Sequence, residues 1–155
     1  HLRDVVNNLE MMGITDESIL CAGWLHDSIE DTSFDFDDVS KYFDKKTAQI
    51  VSDVTKETRL PKNTQEKNYL KQLSNSSWQA KVVKLGDILA NISDLKNSGL
   101  TKKQKVIQVK YKMKYLNAIK SGIITNKSKI PNLSQTENLL NLVLDQYGQR
   151  KITLF

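Results

Sequence analysis

An all-α bundle is the architecture this sequence predicts, and three observations predict it. The 155 residues hold only six Gly and two Pro, too few turn formers for a many-stranded sheet. Apolar residues recur at spacings of three and four along most of the chain. One segment, Trp78 to about Leu95, carries Ala80, Val82, Val83, Leu85, Ile88, Leu89, Ile92 and Leu95, dense enough for a central, mostly buried helix against which the others pack.

The elements follow in order. Val5, Val6, Leu9 and Met12 share one helical face, and Gly13 is a natural stop, so a first helix starts at or before His1. Thr15 or Asp16 caps a second helix with Asp16 and Glu17 in its first turn, which carries Ile19, Leu20, Gly23 and Trp24 into a polar stretch. After a loop at 32–35, a short helix is predicted over 36–43 with Val39, Tyr42 and Phe43 inward. Ala48, Ile50, Val51 and Val54 mark the next helix, which frays toward Pro61. Asn63 is expected to cap a helix ending near 75–77, and Gly99 to close the central one. A lysine-rich helix from about Thr101 to Ser121 buries Val106, Val109, Met113, Leu116 and Ile119, with Gly122 as its end. The segment 125–132 reads as a loop. Ser134 and Glu137 have capping-box spacing for a last helix that reaches Tyr147 and stops at Gly148, leaving the apolar tail 152–155.

Hydrophobic residues make up 39% and charged residues 26%, a globular composition of one-domain length, and residues 1–155 are expected to form a single domain. Cys21 has no partner for an internal disulfide, so a core-packing role and a reducing, cytoplasmic location are expected. No apolar run is long enough for a membrane span, and no leader is expected before the domain. The formal net charge is +5, and its distribution matters more than its size. From Leu95 to Thr136 there is no Asp or Glu, while the lysines from Lys96 to Lys129 crowd into that stretch. This suits an anionic partner, a phosphorylated metabolite or nucleic acid, and it suits equally a solvated lysine face.

The polar stretch is His26-Asp27-Ser28-Ile29-Glu30-Asp31. On a continuous helix His26 would face Glu30, and Asp27 would face Glu30 and Asp31, so one edge would carry an imidazole and three carboxylates. Like charges at that spacing repel, and a cation would remove the penalty. His with Asp is a common mixed ligand set, and neighbouring carboxylates can orient or deprotonate a water. A solvated acidic helix end is the alternative, which the macrodipole disfavours. Further on, Asp87 and Asn91 lie four residues apart on one face of the apolar central helix and need partners there. Gly86 in mid-helix costs about 1 kcal/mol against Ala, which predicts a close approach by another helix or a ligand.

With His1, the His26-Asp27 pair and the distant Asp87, the chain resembles the HD-domain metal-dependent phosphohydrolases. Within them it is similar to the small alarmone hydrolases related to the hydrolase domain of SpoT-type enzymes. The likeness runs from His1 to about Leu95, through Leu25-His26-Asp27-Ser28-Ile29-Glu30-Asp31-Thr32, Val54-Thr55-Lys56, Leu60-Pro61-Lys62 and Lys84-Leu85-Gly86-Asp87 with Asn91. The resemblance implies an HD-domain helical bundle and a single Mn²⁺, or another divalent first-row ion, held by His1, His26, Asp27 and Asp87. It further implies that Glu30 and Asp31 handle the attacking water and that Asn91 lines the nucleotide pocket, with Tyr111 or Tyr115 stacking on the base. The implied reaction removes the 3′-pyrophosphate of guanosine tetra- or pentaphosphate. Other readings are removal of the 2′-phosphate of NADPH, or an HD module that binds nucleotide or nucleic acid without turnover. A guanine nucleotide is the expected partner, with no membrane and no nucleic acid, and the oligomeric state is open. Leu2 stands where the family usually has Pro and Ile88 where it usually has a basic residue, and neither change removes a ligand. His1 opens the chain, so the family's upstream helix, with its nucleotide-holding basic residues, is expected to be missing.

Overall fold

The computed structural model covers residues 1–155 as α1 (Leu2–Met11), α2 (Glu17–Leu25), α3 (Ser28–Asp31), α4 (Phe36–Tyr42), α5 (Lys45–Val54), α6 (Lys62–Asn75), α7 (Trp78–Asp94), α8 (Lys102–Thr125) and α9 (Leu133–Gln146). Short 3₁₀ turns occupy Leu95–Asn97 and Lys127–Lys129, and there is no strand. The Ser77 side chain accepts from Ala80 N and starts α7, in which every residue from Ala80 to Ala90 is buried. The buried set includes Lys81, Lys84 and Asp87 as well as the apolar positions.

Around this axis pack α1, α2, α5 and α8. Two glycines let α1 sit between α2 and α7. An added Cβ at Gly86 would lie 3.3 Å from Val5 O, and one at Gly23 would lie 2.7 Å from Leu9 Cδ1. Asn8 Nδ2 then donates to Gly86 O at 2.9 Å, fixing the crossing. The close approach that Gly86 predicts is therefore made by α1, and it brings the start of α1 to the end of α2 and the middle of α7.

Several local expectations are corrected. Val39 is buried in α4, but Tyr42 and Phe43 are 64% and 48% exposed; the helix is too short to bury more than one apolar position against α5, and Tyr42 stacks on Phe34 instead. Asp44 caps α5 through Thr47 N, so that helix opens at Lys45, ahead of the apolar positions that mark it, and α6 starts at Lys62, ahead of the expected Asn63 cap. Gly99 does not terminate α7, which ends through the 3₁₀ turn with Ser98 N donating to Leu95 O. Nor does Gly122 end α8: the helix continues to Thr125, and the glycine exists to admit the stem of Lys81, which a Cβ would strike. The Ser134–Glu137 box is absent because α9 already begins at Leu133. Glu137 instead accepts from Leu154 N at 2.6 Å and draws the apolar tail onto the core. Gly148, at φ +65°, does stop α9, with Gln149 N reaching Leu144 O at 3.0 Å. Cys21 is a half-buried free thiol. No helix is long and apolar enough to cross a membrane.

Candidate active site

The polar stretch is not one continuous helix. Helix α2 ends at Leu25, His26 and Asp27 form a link, and α3 restarts for one turn at Ser28. Asp27 lies at φ −97°, ψ −2°, enough to interrupt the ladder while keeping the chain near helical. His26 Nδ1 donates to Gly23 O at 2.8 Å, which fixes the ring and aims Nε2 at the start of α1 and the middle of α7. The carboxylates expected on one helical edge still face one cavity, because the link changes their angle and not their side.

Three ligand atoms, one each from His1, His26 and Asp27, lie within 4.8 Å of one another. Asp87 closes the set, with Oδ1 3.1 Å from His1 Nε2 and 3.5 Å from His26 Nε2, while Asp27 Oδ1 is 3.2 Å from His26 Nε2. The two imidazoles meet edge to face with centroids 5.4 Å apart. His26 Nε2 is buried and makes no hydrogen bond, although two carboxylates approach it; neither oxygen is aligned with it. A buried nitrogen with no bond of its own, facing carboxylates and a second imidazole, is the donor set of a divalent metal site. The charges agree. Burial alone would lower the His26 pKa, yet Asp27 and Asp87 outweigh it and raise it to about 10, so the carboxylates demand positive charge at that nitrogen. A bound cation meets that demand in place of the proton, and the residues fit the metal that the sequence implies.

Asp87 is held on all sides. Its Oδ2 accepts from Lys84 Nζ at 2.8 Å. Asn91 Nδ2 donates to Oδ1 at 2.6 Å and to Asp87 O at 3.0 Å, so Asn91 orients the carboxylate in the manner of groups behind metal ligands. Burial would raise the Asp87 pKa, but His26 and Lys84 hold it well below the carboxylate range. Lys84, whose burial alone would favour the neutral amine, is kept charged by Asp87.

All eight residues singled out from the sequence, His1, His26, Asp27, Glu30, Asp31, Asp87, Asn91 and Tyr111, line one cavity of about 370 Å³. That volume is within the range of small-molecule sites. Glu30 and Asp31 are exposed at its wall, and Glu30 Oε1 accepts from Lys56 N. Of the two tyrosines considered, Tyr115 is buried with its hydroxyl 3.1 Å from Glu66 Oε2, whereas Tyr111 is only half-buried and packs edge to face on Tyr115. Lys56, Tyr69, Lys84 and Lys112 also line the cavity; sequence reasoning gave the first three no role and reached Lys112 only as one of the lysine-rich stretch that suits an anionic partner. Lys56 pairs with Glu66 and donates to Tyr115 Oη at 2.9 Å. Lys84 had a signal, a lysine three residues before Asp87 in an apolar helix. Lys56 was marked only by its place in the Val54-Thr55-Lys56 segment of the family resemblance, and Lys112 had no signal that set it apart from neighbouring lysines.

A model of the HD domain matches residues 1–115. The chain is 39% identical over 84 residues to guanosine-3′,5′-bis(diphosphate) 3′-pyrophosphohydrolase MESH1 of Xenopus tropicalis, covering 54% of this chain and 47% of that protein. Against MESH1 of Homo sapiens it is 41% identical over 83 residues, covering 54% and 46%. A probable guanosine-3′,5′-bis(diphosphate) 3′-pyrophosphohydrolase of Mycoplasma pneumoniae is 33% identical over 153 residues, 88% of this chain and 21% of that protein. The chain thus spans about half the length of the MESH1 relatives it matches. Among solved structures, that of a metazoan SpoT ortholog that hydrolyses ppGpp is similar with a TM-score of 0.79 and 28% identity, over 97% of this chain and 81% of that one. The structure of lmo0812 from Listeria monocytogenes shares the fold at a TM-score of 0.70 and 22% identity, over 96% and 94% of the two chains.

Proposed function

The chain belongs to the HD domain family, and on that premise we propose that it hydrolyses the 3′-pyrophosphate of guanosine tetra- or pentaphosphate, giving GDP or GTP and pyrophosphate, with Mn²⁺ held by His1, His26, Asp27 and Asp87. The observation that carries this reading is the convergence of those four side chains beside two exposed carboxylates and a wall of lysines in one cavity. It is supported by the names of the relatives above and by the ppGpp hydrolysis attributed to the metazoan SpoT ortholog.

When bound, the ion supplies positive charge to a phosphate oxygen and lowers the pKa of the water it holds. The protein's own groups do the rest. Glu30 has one oxygen committed to Lys56 N, which leaves the other to take a proton from the attacking water. Asp31 stands beside it as a second acceptor. Lys84 and Asn91 keep Asp87 from turning away as substrate enters. Tyr111 offers a ring face to the guanine, and the lysines offset the charge of the phosphates, which is most of what in-line attack on phosphorus requires. A core that runs from Leu9 to Leu154 supports residues 1–155 acting as one domain. A nucleotide substrate and the unpaired Cys21 support a reducing, cytoplasmic setting.

The test is to incubate the Mn²⁺-loaded protein with ppGpp and follow both products, with a chelator control. The expected result is chelator-sensitive release of GDP and pyrophosphate in equal amounts. Orthophosphate and NADH from NADPH, with ppGpp left intact, would replace the reading with a 2′-phosphatase. Tight nucleotide binding with no turnover of either would replace it with a binding module.

A further inference from the structure

Three lysines line the cavity, and they are not equivalent. Lys56 is paired with Glu66 and Lys84 with Asp87. Lys112 has only the face of the Tyr115 ring, with its ammonium 5.7 Å from the centroid. It is also the only lysine of its helix on the cavity wall: Lys102, Lys103, Lys110 and Lys114 are exposed, and the half-buried Lys105 and Lys120 lie outside the cavity. Burial lowers its pKa, and Lys84 and Lys56 push the same way. A cation partly stripped of water, beside two other cations and without a carboxylate of its own, is an arrangement that an anionic ligand relieves.

The ligand end of the cavity fixes where that anion belongs. Lys112 lines the same cavity as His1, His26, Asp27 and Asp87, so its ammonium shares the space of a group held at those residues, and its neighbour Tyr111 faces that space too. We propose that Lys112 binds the outer phosphate of the scissile 3′-pyrophosphate, the one beyond the phosphorus under attack, and so selects a pyrophosphoryl group over a single phosphate. This rests on the hydrolase reading of the same site. A lysine suits the task because the outer phosphate needs a point charge that follows it as the group departs, not a rigid planar fork.

The probe is inorganic pyrophosphate, titrated calorimetrically into the Mn²⁺-loaded protein alongside orthophosphate. Lys112→Gln should weaken pyrophosphate binding by about tenfold or more, the size expected for one charge-assisted contact. It should change orthophosphate binding by less than about twofold and leave one metal per chain, and Lys112→Arg should restore most of the loss. In turnover, the same substitution should raise KM for ppGpp with little change in kcat. Unchanged pyrophosphate binding in Lys112→Gln would overturn the proposal, and so would equal weakening of both anions, which would make Lys112 part of a general field. Failure of the hydrolase reading is seen separately, as wild-type protein that leaves ppGpp intact, and the titration reads Lys112 in either case.

Discussion

At one end of the cavity His1, His26, Asp27 and Asp87 come from the starts and ends of helices and from the middle of α7, and meet through contacts of 3.1 to 3.5 Å. At the other end Lys56, Tyr69, Tyr111, Lys112 and Tyr115 come from the segment after α5 and from α6 and α8, and meet mainly through ring faces, with ammonium groups 5.1 to 5.8 Å from ring centroids. The first end is charge against charge, with His26 and Asp87 buried and Asp87 braced by Lys84 and Asn91. Contacts of the second kind contribute about 0.5–1 kcal/mol each where exposed and tolerate displacement. The contrast assigns tasks. On the proposed hydrolase reading, chemistry on phosphorus needs side chains that do not move, whereas a nucleotide with a variable number of phosphates needs a wall that yields.

Asp87 is where that contrast breaks most completely. Asp87→Ala removes a proposed metal ligand, the partner of both imidazoles and the counter-ion of Lys84 at once. Metal retained through gel filtration and turnover should both fall to background. Thermal unfolding should show a loss of about 3–5 kcal/mol, because the Lys84 ammonium is left buried and unpaired. Asp87→Asn still offers Lys84 an oxygen, so it should keep most of the stability while losing the metal. A variant that holds one ion per chain would remove Asp87 from the ligand set. The next effect is smaller and confined to rate. Glu30→Gln keeps an acceptor for Lys56 N, so metal content should be unchanged while kcat falls by about 10²–10⁴, the range for a general base. A near-normal rate would transfer the role to Asp31.

The same contrast governs what could be read in advance. The convergence at Asp87 was legible where its parts have a local signature: adjacent His26 and Asp27, then Asp87 and Asn91 four apart in an apolar helix, and a mid-helix Gly86 that only a close approach explains; His1 was reached only through the family resemblance. The pause between α2 and α3 was not, since residues compatible with helix continue straight through it. Lys56 is singled out by contacts with α6 and α8 that no spacing encodes, and Lys112 by the side of α8 that the packing turns to the cavity. Gly122 shows the limit from the other side. A glycine late in a helix reads as a stop, and only the stem of Lys81 lying across it reveals that it is there for packing. Tyr42 and Phe43 have the right spacing for a buried face, but a seven-residue helix has too little length to bury them.

Tyr115→Phe tests the yielding end most gently. The substitution keeps the ring that faces Lys56, Lys84 and Lys112 and deletes only the hydroxyl that takes a hydrogen bond from Lys56 and gives one to Glu66. The Lys56–Glu66 pair remains, so no buried charge is orphaned. One such hydroxyl contributes about 1 kcal/mol, which for a chain of this length corresponds to a fall in Tm of about 2–4 °C. Metal content should be untouched, and any kinetic change should appear in KM, because the hydroxyl positions Lys56 and has no contact with the ligand set. A loss of metal in Tyr115→Phe would mean that the two ends are mechanically coupled through Lys84, whose ammonium rests on the same ring, and the division between a fixed end and a yielding one would fail.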